Sequence, residues 1–133
     1  MFIPYSYDGG VSDSWEYLPI SDMPAQVGKA MVMSGGVLTQ ATGAEMPTYI
    51  CMTNKEDTEE GDIVAVIRVN ERTRFATTLS ADGSAIEVGD KLQISTDGLE
   101  VTANTGGCFE ITEIRGTNKG DEVIGRFEEG GAA

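Results

Sequence analysis

The chain has 133 residues, a size typical of one domain, and its nine basic and 22 acidic side chains give a net charge of −13. A surface this acidic repels nucleic-acid phosphates and anionic membranes, so neither is expected as a partner. The absence of histidine excludes a Ser-His-Asp triad and histidine metal ligands, and a hydrophobic content of 40% excludes global disorder.

Residues 1–22 predict an extended N-terminal arm. The prolines and the Gly9-Gly10 pair in this segment rule out a regular helix. Two interpretations stay open: the aromatic rings of the arm complete the domain's own core, or they dock on a partner. Aromatic side chains supply large contact area at low entropy cost, which suits docking. The candidate partner-binding residues are five of the nine aromatic residues: Phe2, Tyr5, Tyr7, Trp15 and Tyr17.

Residues 23–128 predict a single all-β domain, and residues 129–133 predict a flexible tail. Many short strands separated by glycine turns are typical of barrels and sandwiches, and we predict a small glycine-rich β-barrel. Residues 62–69 are apolar at nearly every position, which predicts a strand buried on both faces. The predicted strands are 29–34, 37–41, 49–53, 62–69, 73–79, 84–88, 91–95, 99–102, 108–114 and 122–127.

The two cysteines, Cys51 and Cys108, lie in apolar, strand-like runs. No CxxC motif is present, so a zinc or redox site has no support and buried free thiols are expected. The N-terminus lacks the basic and apolar regions of a secretory signal, and no run approaches the roughly 18 apolar residues of a membrane span. We therefore expect a soluble chain made in the cytoplasm.

The sequence also repeats itself in the halves 27–69 and 88–127. The matched pieces follow the same order in both halves, which predicts one hairpin unit used twice and closed into a barrel. The alternative is chance similarity, because Val, Gly and Thr are common in all β-rich sequences. The matches are 27–34 with 88–95, 35–41 with 97–103, 53–55 with 117–119, and 61–64 with 120–123.

No catalytic, metal or cofactor signature is present. The loop at 54–62 holds five carboxylates without the spacing of an EF-hand, which favours a solvated acidic loop over a cation site. Glu110 and Glu113 are the two carboxylates inside an apolar run, and strand alternation puts them on opposite faces. The sequence contains no nucleophile elbow or phosphate-binding glycine loop. We predict a non-enzymatic protein that has no metal or cofactor.

Several stretches resemble the head decoration proteins of tailed bacteriophages, and the N-terminal stretches are similar to other phage and prophage structural proteins. The resemblance implies a virion protein that binds the outside of the capsid, with the major capsid protein as partner. It also implies a homotrimer at local three-fold positions, with the N-terminal arm as a clamp. The stretches are Met1–Tyr5, Trp15–Pro19, Ala44–Met52 with its Pro-x-Tyr-Ile pattern, Gly61–Val64 and Val88–Leu92.

A second interpretation belongs to a different class. Trp15 and Tyr17 are then a sugar-stacking platform in a carbohydrate- or surface-binding β-module of a phage fibre or adhesin. Binding of glycans to the tryptophan separates this interpretation from a capsid decoration protein.

Overall fold

The computed structural model describes residues 1–10 and 14–128. Over these residues the chain forms eleven strands and one short 3-10 turn, so the predicted all-β fold is confirmed. No helix within the described part is long and apolar enough to cross a membrane. The strands are β1 (Ile3–Tyr7), β2 (Trp15–Pro19), β3 (Ala30–Ser34), β4 (Val37–Gln40), β5 (Tyr49–Cys51), β6 (Ile63–Arg68), β7 (Thr73–Thr78), β8 (Lys91–Ile94), β9 (Val101–Thr105), β10 (Phe109–Ile114) and β11 (Glu122–Phe127).

The strands form two antiparallel sheets rather than one closed barrel. The five-stranded sheet has the order β2-β6-β5-β3-β4, and the six-stranded sheet has the order β1-β7-β11-β10-β8-β9. The predicted tail at 129–133 lies outside the described residues. The predicted strand at 84–88 is wrong, because Ile86 bonds back to Gly83 and Glu87 bonds to the Asp90 carboxylate, which makes two successive turns.

The same strand order occurs twice along the chain. Strands β2–β6 form the first half (15–68) and strands β7–β11 the second half (73–127), and in each the order is first, fifth, fourth, second, third. A short parallel bridge joins the first and third strands of each half, Ile20 with Leu38 and Leu79 with Val101. These halves begin one strand before the sequence repeat does. That they arose by duplication stays a prediction.

Equivalent backbone hydrogen bonds fix the alignment of the two halves. The amide of Ile20 donates to the carbonyl of Asp62 at 2.8 Å, and the amide of Leu79 donates to that of Asp121 at 3.0 Å. The amide of Glu59 donates to the Asp62 carboxylate at 2.9 Å, as the amide of Asn118 does to Asp121 at 3.0 Å. Asn118 thus corresponds to Glu59, and the match of 53–55 with 117–119 is not a structural equivalence.

Two apolar clusters make up the core. The larger cluster lies between the sheets. We call its four phenylalanines, Phe2, Phe75, Phe109 and Phe127, the aromatic cluster. The smaller lies on the other face of the five-stranded sheet, where it includes Val64 and Val66 of β6. β6 therefore has buried residues on both faces, Val64 and Val66 on one and Ile67 on the other, as predicted, but Ala65 is half-buried and both ends of the strand are exposed.

The N-terminal segment contributes one strand to each sheet. β1 pairs with β7, with Ile3 opposite Ala76, and β2 pairs with β6, with Trp15 opposite Ile67. The Asp8–Gly10 turn follows β1, and Gly9 and Gly10 adopt positive φ, which glycine tolerates without strain. The five candidate aromatic residues are thereby divided between the two sheets, with Phe2, Tyr5 and Tyr7 at β1 and with Trp15 and Tyr17 on β2.

Candidate partner-binding surface

Phe2 lies in the interior of the protein. Its side chain is 0% exposed, and its ring centroid lies 5.0 Å from that of Phe127 and 5.5 Å from that of Phe109. The Phe2 amide donates to the carbonyl of Gly28 at 2.8 Å, which fixes the start of β1. For this residue the structure shows the alternative that the sequence left open, namely completion of the protein's own core.

Tyr5 and Tyr7 lie on the exposed edge strand β1. Tyr5 is 44% exposed, and its hydroxyl accepts a hydrogen bond of 2.7 Å from the guanidinium of Arg115. The guanidinium carbons of Arg74 and Arg115 lie 5.6 Å and 5.5 Å from the centroid of the Tyr5 ring. Tyr7 is half-buried opposite Thr73. Tyr5 is therefore held by cation–π contacts within the protein's own surface.

Trp15 and Tyr17 project from the edge strand β2. Trp15 is 52% exposed and Tyr17 is 66% exposed. Trp15, Tyr17 and Pro19 are alternate residues of β2 and therefore lie on one side of the sheet. Residues opposite each other in a ladder share a side, so Ile63, which is paired with Pro19 and is 61% exposed, lies on this side as well. These three large side chains, Trp15, Tyr17 and Ile63, form what we call the β2 surface.

Sequence reasoning missed Ile63. The apolar run predicts it as part of a strand buried on both faces, but it opens β6 opposite the end of an edge strand, where nothing in the described part covers it. Its place directly after the Gly61-Asp62 turn was the available signal, because the ends of a strand are less covered than its centre.

The opposite side of the sheet carries a polar trio of Glu16 on β2, Arg68 on β6 and Tyr49 on β5. The Arg68 guanidinium donates to both carboxylate oxygens of Glu16 at 3.1 Å and to the Tyr49 hydroxyl at 3.0 Å. It also lies over the Tyr49 ring, 5.1 Å from the centroid. The hydrogen bond that Arg68 donates to Glu16, followed by the electrostatic interaction with Tyr49, raises the pKa of Arg68 above its usual value.

The acidic loop at 54–62 contains an ion pair rather than an open ring of carboxylates. Lys55 Nζ lies 3.1 Å from a carboxylate oxygen of Asp62, which also accepts the amide of Glu59 at 2.9 Å. The Glu59 amide and then Lys55 lower the pKa of Asp62. Within residues 1–10 and 14–128, no group of three Cys, Asp or Glu side chains is placed to hold a metal ion.

The two carboxylates of the apolar run lie on one side of their sheet, which corrects the expectation of opposite faces. A register shift between Ile111 and Glu113 puts Glu110 opposite Arg126 and Glu113 opposite Ile124. Such a bulge inserts one residue and so reverses the alternation beyond it. Burial and then Glu128 raise the pKa of Glu110, whereas Glu113 bonds Arg115 at 2.6 Å.

Both cysteines are buried free thiols, as predicted. Burial raises the pKa of Cys51, and it raises the pKa of Cys108 to about 11. The thiolate is the nucleophilic form, so neither thiol is activated at neutral pH.

Comparison with known proteins identifies a fold likeness. No protein-family model matches the sequence, and no curated protein matches it. Among solved structures, the chain is similar to the head fibre gp8.5 N base of bacteriophage phi29, with a TM-score of 0.58 and 16% sequence identity. The likeness covers 86% of this chain and 95% of the phage protein. The two proteins share a fold.

Proposed function

We propose that this protein is a non-enzymatic structural protein of a tailed-phage virion that binds the outside of the capsid and stabilises it. The observation that carries the proposal is the fold likeness to a phage head protein, which extends over 86% of this chain. The resemblance to head decoration proteins rests on different features, namely turn-and-strand motifs in the sequence, and it also points to a structural protein of the phage head.

The surface chemistry supports attachment by side chains rather than catalysis. The β2 surface exposes an isoleucine and two aromatic rings, and aromatic side chains contribute much of the binding energy at protein interfaces. The net charge of −13 keeps particles coated with the protein apart by repulsion. The partner in this proposal is the major capsid protein, and the bound form is a homotrimer on the shell, as the family resemblance implies.

The decisive experiment is a protein census of purified particles. Virus particles from a culture that carries this gene are analysed by quantitative mass spectrometry against the major capsid protein. A ratio near one to one supports a shell-wide decoration role. A few copies per particle place the protein in a fibre or neck, and complete absence overturns the proposal.

The exposed pair Trp15 and Tyr17 favours a second candidate, a carbohydrate- or surface-binding module of a phage fibre or adhesin. Both rings lie on one side of β2 and are accessible, as a sugar-stacking platform requires. Trp15 is the single tryptophan of the chain, so its fluorescence reports on this surface alone. Saturable quenching by host cell-wall glycans supports this function, and unchanged emission favours the capsid protein.

A further inference from the structure

The two halves of the molecule differ at the outer edge of their first strand. β7 opens the second half, and its outer edge is occupied by β1. β2 opens the first half and corresponds to β7, but among residues 1–10 and 14–128 no strand pairs along the outer edge of Trp15–Pro19, and β4 meets this edge only beyond it, at the Ile20–Leu38 bridge. The fold thus contains one filled and one open copy of the same strand-accepting position.

The backbone of the open edge is ready to pair. The amide of Ile20 bonds inward to Asp62, and the β2 ladder runs from Trp15 to Pro19 without a register shift. In an antiparallel ladder alternate residues bond to the same neighbour, so the N–H and C=O groups of Trp15 and Tyr17 point outward. Apart from the β6 ladder, residues 15–19 make no backbone hydrogen bond within the described part.

The edge strand β1 is protected against further pairing, and the edge strand β2 is not. β1 contains Pro4 in its interior and a bulge between Pro4 and Ser6, two features that discourage pairing with a further strand. In β2 the proline stands at the end, at Pro19, where it removes a single donor. Charged side chains are the usual third protection. The one charge on β2, Glu16, is neutralised by both guanidinium contacts from Arg68.

We propose that the outer edge of β2 accepts an antiparallel strand from a different protein. The orientation follows that of β1 on β7. The incoming strand is amphipathic, because its two sides meet different surfaces. Apolar residues pack against Trp15, Tyr17 and Ile63 on one side, and polar residues lie beside Glu16 and Arg68 on the other.

Charge decides between a different protein and a second copy. A second copy carries the same net charge of −13, and its repulsion opposes edge-to-edge pairing. A neutral or basic segment avoids this repulsion. The inference rests on the proposed function, which it deepens: the strand is an extended segment of a shell protein, and adding it to β2 is how the protein is held on the particle.

The test uses phage particles that lack this gene as the probe, to which purified full-length protein is added back. Tyr17→Pro removes the outward N–H without removing a bond to β6, and an edge strand tolerates proline at such a position. Tyr17→Thr is the matched control, since it removes the ring but keeps the donor. We expect Tyr17→Pro to weaken binding at least tenfold more than Tyr17→Thr does. Thermal unfolding establishes that both variants are folded.

Hydrogen exchange of the wild-type protein gives a second readout that needs no variant. The amides of Trp15 and Tyr17 should exchange rapidly in the free protein and slowly on the particle, even if Tyr17→Pro fails to fold. Normal binding by Tyr17→Pro, or unprotected amides at both positions, overturns the strand-addition proposal and leaves the capsid function standing. Wild-type protein that does not bind particles overturns both.

A second copy as the occupant has its own signature. Sedimentation of the free wild-type protein would then show a dimer that Tyr17→Pro abolishes, and this result overturns a different protein as the source of the strand. If the free wild-type protein forms no dimer through β2, and the amides of Trp15 and Tyr17 are protected on the particle, the results support a different protein as the source of the strand.

Discussion

The two halves of the molecule place opposite chemistry at the same three register positions. In the first half the positions hold a carboxylate, a guanidinium and a phenol that bond to one another, and in the second they hold three phenyl rings in edge or tilted contact. The matched pairs follow from the ladders of the two sheets: Glu16 with Phe75, Arg68 with Phe127 and Tyr49 with Phe109.

The difference between the two sets lies in what covers them. In the second half, Phe2 at the start of β1 packs on Phe109 and Phe127, so this end of the sheet belongs to the core. In the first half no strand accompanies β2 within residues 1–10 and 14–128, and Arg68 is exposed to solvent. One backbone arrangement thus carries a fully buried aromatic set in one half and a polar set with an exposed guanidinium in the other.

The largest expected effect comes from a glycine of the second half. Gly125 corresponds to Val66, but a Cβ at Gly125 would overlap the carbonyl oxygen of Glu110 and lie 2.8 Å from a ring carbon of Phe109. Gly125→Val should therefore destabilise the protein by about 3 kcal/mol or more, or prevent folding. Urea unfolding followed by circular dichroism measures the loss, with Ala65→Val on β6 as the control for added volume. An unchanged midpoint would show that the two halves have equal room here.

Replacing one residue of the polar trio and the equivalent residue of the aromatic cluster tests the difference between the two halves directly. Phe127→Ala removes a fully buried ring and should lower the free energy of unfolding by roughly 3–5 kcal/mol. Arg68→Ala, at the equivalent position, breaks an exposed ion pair and should lower it by less than about 1 kcal/mol. Both values come from the same urea titration. Equal losses would mean that the polar trio is as important to stability as the aromatic cluster.

Substitutions at the two ends of the N-terminal segment, at Phe2 and at Trp15, should change the free energy of unfolding by different amounts. Phe2→Ala should lower the free energy of unfolding by about 3 kcal/mol, because it empties a place in the aromatic cluster. Trp15→Ala should change it by less than about 0.5 kcal/mol, because the ring is largely exposed. A stability loss from Trp15→Ala as large as that from Phe2→Ala would mean that the β2 surface serves the fold rather than a partner.

The smallest expected effect is a pH dependence from Cys108. Burial raises the pKa of its thiol from 9.0 to about 11, so the folded state holds this proton more tightly than the unfolded state. The stabilisation is present below pH 9 and is lost as the pH rises towards 11, with a size of roughly 2–3 kcal/mol. Cys108→Ala should remove this part of the decline in unfolding free energy measured between pH 8 and 11. An identical decline in the variant would assign it to other groups.

Local patterns in the sequence were sufficient for most strands and for the cysteines, because those features depend on neighbouring residues. The Ile63–Arg68 strand and the burial of both thiols follow from alternation and apolar context. The run at 84–88 misled because only Ile86 of its apolar residues reaches the core, while its polar neighbours form turns.

Pairing between distant strands was beyond local patterns. The arm was predicted as one segment, yet Ile3 pairs with Ala76 and Trp15 with Ile67, in different sheets. Nothing near Phe2 in the sequence distinguishes its burial from the exposure of Tyr17. Two bulges, after Pro4 and after Ile111, also change which side chains share a face, and a bulge is decided by the partner strand as much as by its own residues.

The contact of Phe2 with Phe127 joins the residue before β1 to the end of β11, two parts of the chain that are 125 positions apart. Until β11 has emerged, the second half lacks its central strand, and the rings of Phe2, Phe75 and Phe109 have no complete core to enter. Contacts between the two ends of a chain form slowly, because closing so long a loop costs entropy before any contact repays it. The core of the second half is therefore complete only when β11 has joined its sheet, and a chain that stops before Glu122 leaves these rings open to aggregation or to chaperones.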